Sequence, residues 1–88
     1  MSRDPISNNE ISVAMEECAL ELYSTLDTKG YHSYASIHEI AGVLEEEVRE
    51  FWEEVKANNQ EKIREELLDI ATVCMFAIAC INSSTLDW

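Results

Sequence analysis

Apolar residues recur along this chain at helical spacing in three separate stretches. Ile11, Met15, Cys18, Leu22 and Leu26 step by three or four and share one helical face. S-N-N-E at Ser7 to Glu10 forms a capping box ahead of them, and Gly30 stops the run, so a first helix is expected over about 8–28. S-I-H-E at Ser36 to Glu39 opens a second, expected over about 36–57. A-N-N-Q makes a turn, because asparagine tolerates left-handed and capping conformations. The third helix is expected over about 60–82, charged in its first half and apolar nearly all round in its second. Such a helix must be surrounded. No stretch alternates with period two, so no strand is expected. The predicted fold class is all-α, with three helices, the second and third folded into an antiparallel hairpin. The tail S-S-T-L-D-W is expected to fray, or to be pinned by Trp88 alone.

Length and composition add an expectation of assembly. A chain of 88 residues makes one domain, 1–88, and buries only about two-thirds of its unfolded surface. Yet 47% of its residues are hydrophobic, more than one small bundle hides, which predicts a homo-oligomer, a dimer or a tetramer, completing a multi-helix bundle. The apolar run Leu67 to Ile81 contains Asp69 and is too short to span a bilayer, so it reads as a core helix. Cys18, Cys74 and Cys80 are odd in number, lack CxxC spacing and sit at apolar helical positions. Free packing thiols and a polar opening segment point to the cytoplasm. Six basic residues against 18 acidic ones give a net charge of −12, which repels nucleic acid and anionic membranes and attracts cations.

That charge is concentrated in Leu44–Ile70, L-E-E-E-V-R-E-F-W-E-E-V-K-A-N-N-Q-E-K-I-R-E-E-L-L-D-I. Several of its acids fall on faces that a helix would bury. Glu47 shares a face with Val43, Leu44 and Phe51, whereas Glu66 and Asp69 sit beside Ile63, Leu67, Ile70 and Val73. Counting outward from the Asn58–Asn59 turn, Glu50 and Glu66 lie at nearly equal distances, as do Glu47 and Asp69. In an antiparallel hairpin the two pairs would face each other. Four converging carboxylates either take up protons or hold a metal ion, and an all-oxygen donor set favours Mg²⁺ or Mn²⁺ over zinc. The spacing is equally compatible with a solvated acidic face, which is where Glu45, Glu53, Glu54, Glu61 and Lys56 belong. A di-iron carboxylate site is set aside because it requires Glu-x-x-His, and three residues before His32 and His38 stand Lys29 and Ala35.

E-E-V-R-E at Glu46 to Glu50, followed by E-E-L-L-D at Glu65 to Asp69, resembles the ExxE…ExxD signature of the MazG-like, all-α nucleotide pyrophosphohydrolases. The similarity extends upstream through S-I-H-E and L-E-E-E-V-R-E-F-W-E-E-V-K, and covers roughly Lys29 to Ile81. The resemblance implies hydrolysis of nucleoside triphosphates, often non-standard or deoxy forms, to monophosphate and pyrophosphate. It assigns Glu47, Glu50, Glu66 and Asp69 as ligands of Mg²⁺, with Mn²⁺ as a substitute, and makes Glu46 the candidate base for the attacking water. The chain departs from that family in having no Lys or Arg beyond Asp69, where many relatives carry phosphate-gripping groups. Asn82 is the polar residue left there, and Lys29, His32, Lys56 or a second subunit would have to supply the missing contacts. A non-catalytic helical oligomer of the same type, binding metal or a protein partner, is the alternative.

The remaining candidates each carry two readings. His38, in the first turn of the second helix, is either a phosphate or base contact or a surface histidine. Phe51 and Trp52 either stack a nucleobase between subunits or belong to core or interface. Tyr31 and Tyr34, in the loop after Gly30, are placed to line a pocket mouth.

Overall fold

The computed structural model describes residues 3–87. Trp88, expected to pin the tail, lies outside them. Three helices follow one another, α1 (Asn8–Lys29), α2 (Ile37–Ala57) and α3 (Gln60–Asn82), with no strand among the described residues.

Each boundary has a local cause. Ser7 and Glu10 form a reciprocal capping box: the Ser7 hydroxyl accepts from the Glu10 amide at 3.1 Å, and the Glu10 carboxylate accepts from the Ser7 amide at 3.0 Å. Gly30 ends α1 at φ 93°, a conformation that a side chain would strain. Ser36 caps α2 from the Glu39 amide, while the Glu39 carboxylate reaches past it to the amide of Ala35 at 2.7 Å. Asn58 adopts the left-handed conformation, and Asn59 accepts from the Lys62 amide at 3.2 Å. Two asparagines therefore reverse the chain and lay α3 back along α2.

The middle layer is α3. Both α1 and α2 pack on it, and among the described residues they do not pack on each other. The face of α3 toward its neighbours carries Thr72, Val73, Ala77 and Cys80, which are buried together with Leu26 of α1. Its opposite face is bare: Leu67, Cys74, Ile78 and Ile81 step by seven, four and three along one exposed stripe. Cys74 thus lies on the outside of the single chain, unlike Cys80. The third helix, read from the sequence as surrounded, is covered on one side only within this chain.

The expected face of α1 is likewise only half used. Leu26 is buried and Leu22 and Cys18 are half-buried, whereas Ile11 and Met15 are exposed. The Arg64 guanidinium on α3 pairs with the Glu17 carboxylate and anchors the middle of α1.

The tail is pinned by hydrogen bonds. The Asp87 amide donates to the Ala35 carbonyl at 2.6 Å, and the hydroxyls of Thr85 and Ser33 meet at 2.7 Å. These contacts hold the loop between α1 and α2 against the end of α3, and that loop forms one wall of the cleft described next.

Candidate functional site

The hairpin brings Glu47 of α2 against Glu66 and Asp69 of α3, with a carboxylate oxygen of each within 4.8 Å of the others. Nearly equal spacing from the Asn58–Asn59 turn sets Asp69 across from Glu47, with Glu66 about one turn nearer the reversal, and the three-residue step from Glu66 to Asp69 turns both toward α2. All three side chains are half-buried. The Oε2 atoms of Glu47 and Glu66 are fully shielded from solvent and have no hydrogen-bond partner. Buried carboxylate oxygens without a donor are costly, on the order of several kcal/mol when charged, unless a cation or a proton meets them.

The electrostatics follow from this crowding. Burial pushes the Glu47 carboxyl above the ordinary glutamate range, and the charges of Glu50, Asp69 and Glu46 add to it, against an opposing pull from Lys29. Glu66 is raised by burial and then by Glu50, Asp69 and Glu47. Asp69 is raised by burial and by Glu21 of α1, and lowered by Lys29. Glu50 faces Glu47 and Glu66 electrostatically without joining the cluster of three. An all-oxygen set that collectively resists ionisation fits a hard divalent cation such as Mg²⁺ or Mn²⁺.

Beside the cluster opens a cleft of about 510 Å³, within the range of small-molecule sites. Glu47 and Asp69 form its acidic end. The C-terminal turns of α1 contribute Ser24, Thr28 and Lys29, the loop after Gly30 contributes His32 and Tyr34, and α3 contributes Thr72, Val73 and Phe76. The rings of Tyr34 and Phe76 meet edge to face, with centroids 5.5 Å apart.

Of the sequence-predicted contacts, Lys29 and His32 line this cleft, and the Lys29 ammonium acts on both Glu47 and Asp69. His38, Trp52 and Asn82 are exposed and do not line it. Trp52 instead meets the Phe51 ring edge to face at 5.9 Å, on an exposed side of α2. Glu46 is exposed and adjoins Glu47 in sequence. Tyr34 reaches the cleft as expected of a loop tyrosine, whereas Tyr31 is exposed and donates to Asp27 at 3.5 Å. Sequence reasoning missed Glu21 and Thr72. A signal for Thr72 existed, since it is the one hydroxyl in the apolar run from Ile70 to Ile81. Glu21 gave none, because nothing local says which acid of α1 meets α3.

The three-helix chain thus sets carboxylates from two helices around one point beside a cleft, an all-α domain with a candidate metal site. The family is shown by comparison: a profile of the MazG nucleotide pyrophosphohydrolase domain matches residues 35–86, more than half of the chain. The chain belongs to the MazG nucleotide pyrophosphohydrolase family. Searches of curated proteins and of solved structures return no match to it. No helix among the described residues is long and apolar enough to cross a membrane.

Proposed function

We propose that this protein, acting as one helical domain, hydrolyses a nucleoside triphosphate to the monophosphate and pyrophosphate with Mg²⁺, or Mn²⁺ in its place. The observation that carries this reading is the pair of shielded, unpartnered oxygens on Glu47 and Glu66 facing Asp69. Together with Glu50, these residues would hold the cation. When bound, Mg²⁺ supplies charge neutralisation of the phosphates and a more acidic water. At a net charge of −12 the protein repels a triphosphate unless its acids are countered.

The chain's own residues have separable tasks. The Lys29 ammonium, at the end of α1 and on the cleft wall, offsets the charge of Glu47 and Asp69 and offers a phosphate contact in a chain with no Lys or Arg beyond Asp69. His32 lines the same wall and offers a second donor. Glu46 takes the proton of the attacking water. Tyr34, Val73 and Phe76 exclude solvent from the far end of the cleft.

The stripe Leu67, Cys74, Ile78 and Ile81 on α3, with Val48, Trp52 and Val55 exposed on α2, supports assembly into a homo-oligomer, dimer or tetramer. Free thiols suit a cytoplasmic setting.

A panel of ribo- and deoxynucleoside triphosphates incubated with Mg²⁺ and assayed for pyrophosphate tests the reading. Release from at least one nucleotide is expected, lost in Glu50→Gln. Silence across the panel, with Mg²⁺ still stabilising the fold, would identify the chain as a non-catalytic metal-binding oligomer instead.

A further inference from the structure

The cleft lies in a gap that the helices themselves do not close. Both α1 and α2 pack on α3, and among the described residues they do not pack on each other. The walls of the gap include Thr28 and Lys29 of α1 and Val43 and Glu47 of α2. The loop from Gly30 to Ser36 joins them and brings His32 and Tyr34 to the cleft. How that loop is held therefore sets where its part of the wall stands.

Two of the loop's hydrogen bonds stay local: the Tyr31 hydroxyl donates back to Asp27, and the Ala35 amide donates forward to Glu39. Two others reach the tail, 52 residues on. The Ser33 and Thr85 hydroxyls meet at 2.7 Å, and the Asp87 amide donates to the Ala35 carbonyl at 2.6 Å. Each segment advances by two residues between these contacts, so the two run side by side in the same direction. Tyr34, whose ring meets Phe76, is bracketed by the two anchored residues.

The hydroxyl protons require the Ser33–Thr85 bond. Ser33 Oγ lies 2.8 Å from the Tyr34 carbonyl and Thr85 Oγ1 lies 3.1 Å from the Cys80 carbonyl, so two protons face three contacts. If Ser33 donates to Tyr34, Thr85 donates to Ser33. If Thr85 donates to Cys80, Ser33 donates to Thr85. The arrangement that omits the cross-bond leaves lone pairs facing each other at 2.7 Å. The Thr85 amide also donates to the Cys80 carbonyl, at 3.2 Å, and Cys80 is buried on α3. Through Thr85 the loop is tied to the core.

We infer that residues 83–87 act as a strap, with the Thr85 hydroxyl and the Asp87 amide as positioning groups that hold His32 and Tyr34 where a substrate needs them. The inference rests on the hydrolase reading above. It gives the tail, which among the described residues lends the cleft no lining of its own, a part in substrate binding and none in the chemistry.

The test compares the full chain with Thr85→Val, with Asp87→Pro, which removes the donating amide, and with the double variant. Pyrophosphate release is followed in Mg²⁺ on the nucleoside triphosphate that wild type cleaves fastest. Wall contacts felt alike by substrate and transition state raise KM when lost and spare kcat. Thr85→Val should raise KM about threefold and the double variant about tenfold, the range of one and two exposed hydrogen bonds, with kcat within about twofold. Thr85→Ser and Asp87→Asn, which keep both donors, should match wild type. Without nucleotide, hydrogen exchange at amides 31–36 should quicken in the double variant. Its Mg²⁺-dependent rise in Tm should keep the wild-type size, because the acids are untouched. If the double variant does not fold, Thr85→Val against Thr85→Ser makes the same comparison. An unchanged KM, an unchanged exchange rate, or a lost Mg²⁺ response overturns the strap, while turnover by wild type keeps the hydrolase reading standing. A wild-type protein that releases pyrophosphate from no nucleotide overturns both.

Discussion

Two sets of acids occupy the same two helices and behave differently. Glu45, Glu53 and Glu61 point to solvent, and Glu45 pairs with Arg49 one turn on, at 3.4 Å, with both side chains largely exposed. Glu47, Glu66 and Asp69 turn inward, lose solvent, and are all pushed toward the protonated form. Residue type and local sequence hardly differ between the sets. The difference lies in which way a helical rotation of about 100° per residue points each side chain, and in what stands opposite. A charged residue becomes part of a site when the fold removes its water without supplying a partner. The outer set is ordinary surface by that measure, and the inner set is not.

The largest effect separating the sets should be on catalysis. Asp69→Asn or Glu66→Gln should lower pyrophosphate release on the order of a hundredfold or more, whereas Glu53→Gln should leave it within about twofold. A loss of similar size in the outer variant would erase the distinction. The second effect is on metal-linked stability. Mg²⁺ at about a hundred times its dissociation constant should stabilise wild type by about 2.7 kcal/mol, read as a rise in Tm, and Glu47→Gln should abolish most of that rise.

A third effect reverses the sign when metal is withheld. In chelator, Glu66→Gln should melt a few degrees higher than wild type, because it removes one of the converging charges. The same crowding gives a pH dependence. Carboxyls whose pKa is raised by folding bind protons more tightly folded than unfolded. Their favourable contribution is therefore complete below the ordinary carboxylate range and is lost as pH rises through the raised values. Metal-free protein should accordingly lose Tm between the ordinary carboxylate range and neutrality, with a flatter slope in Glu47→Gln. Glu10, held below its ordinary range by its hydrogen bonds to Ser7, works in the opposite sense: its contribution is lost as pH falls. A metal-free Tm that climbs steadily toward neutrality would contradict the inner-set electrostatics. The smallest effect belongs to the outer pair, where Arg49→Ala should change stability by no more than about 0.5 kcal/mol in urea melts.

The one-dimensional pattern accounts for much of this architecture. The helix bounds lay in caps and turn residues, Ser7, Gly30, Ser36 and the Asn58–Asn59 pair, because capping is a local hydrogen-bonding problem solved within a few residues. The meeting of Glu47 with Glu66 and Asp69 was also readable, because a two-residue reversal fixes the register of an antiparallel hairpin and helical periodicity does the rest. Cys74 and Met15 show where that reading stops. Both sit at apolar helical positions, and both are exposed in the single chain, since an apolar stripe does not state whether its cover comes from the same chain or another.

What required the folded chain was everything that depends on how α1 and the loop after it dock onto α3. Periodicity along one helix is silent about which turn of a distant helix it will meet. Hence Glu21 beside Asp69, Lys29 over the acid cluster, Tyr34 against Phe76, and the unpartnered hydroxyl of Thr72 became visible only in three dimensions. Local rules wrote the helices and the hairpin; long-range packing made the cleft.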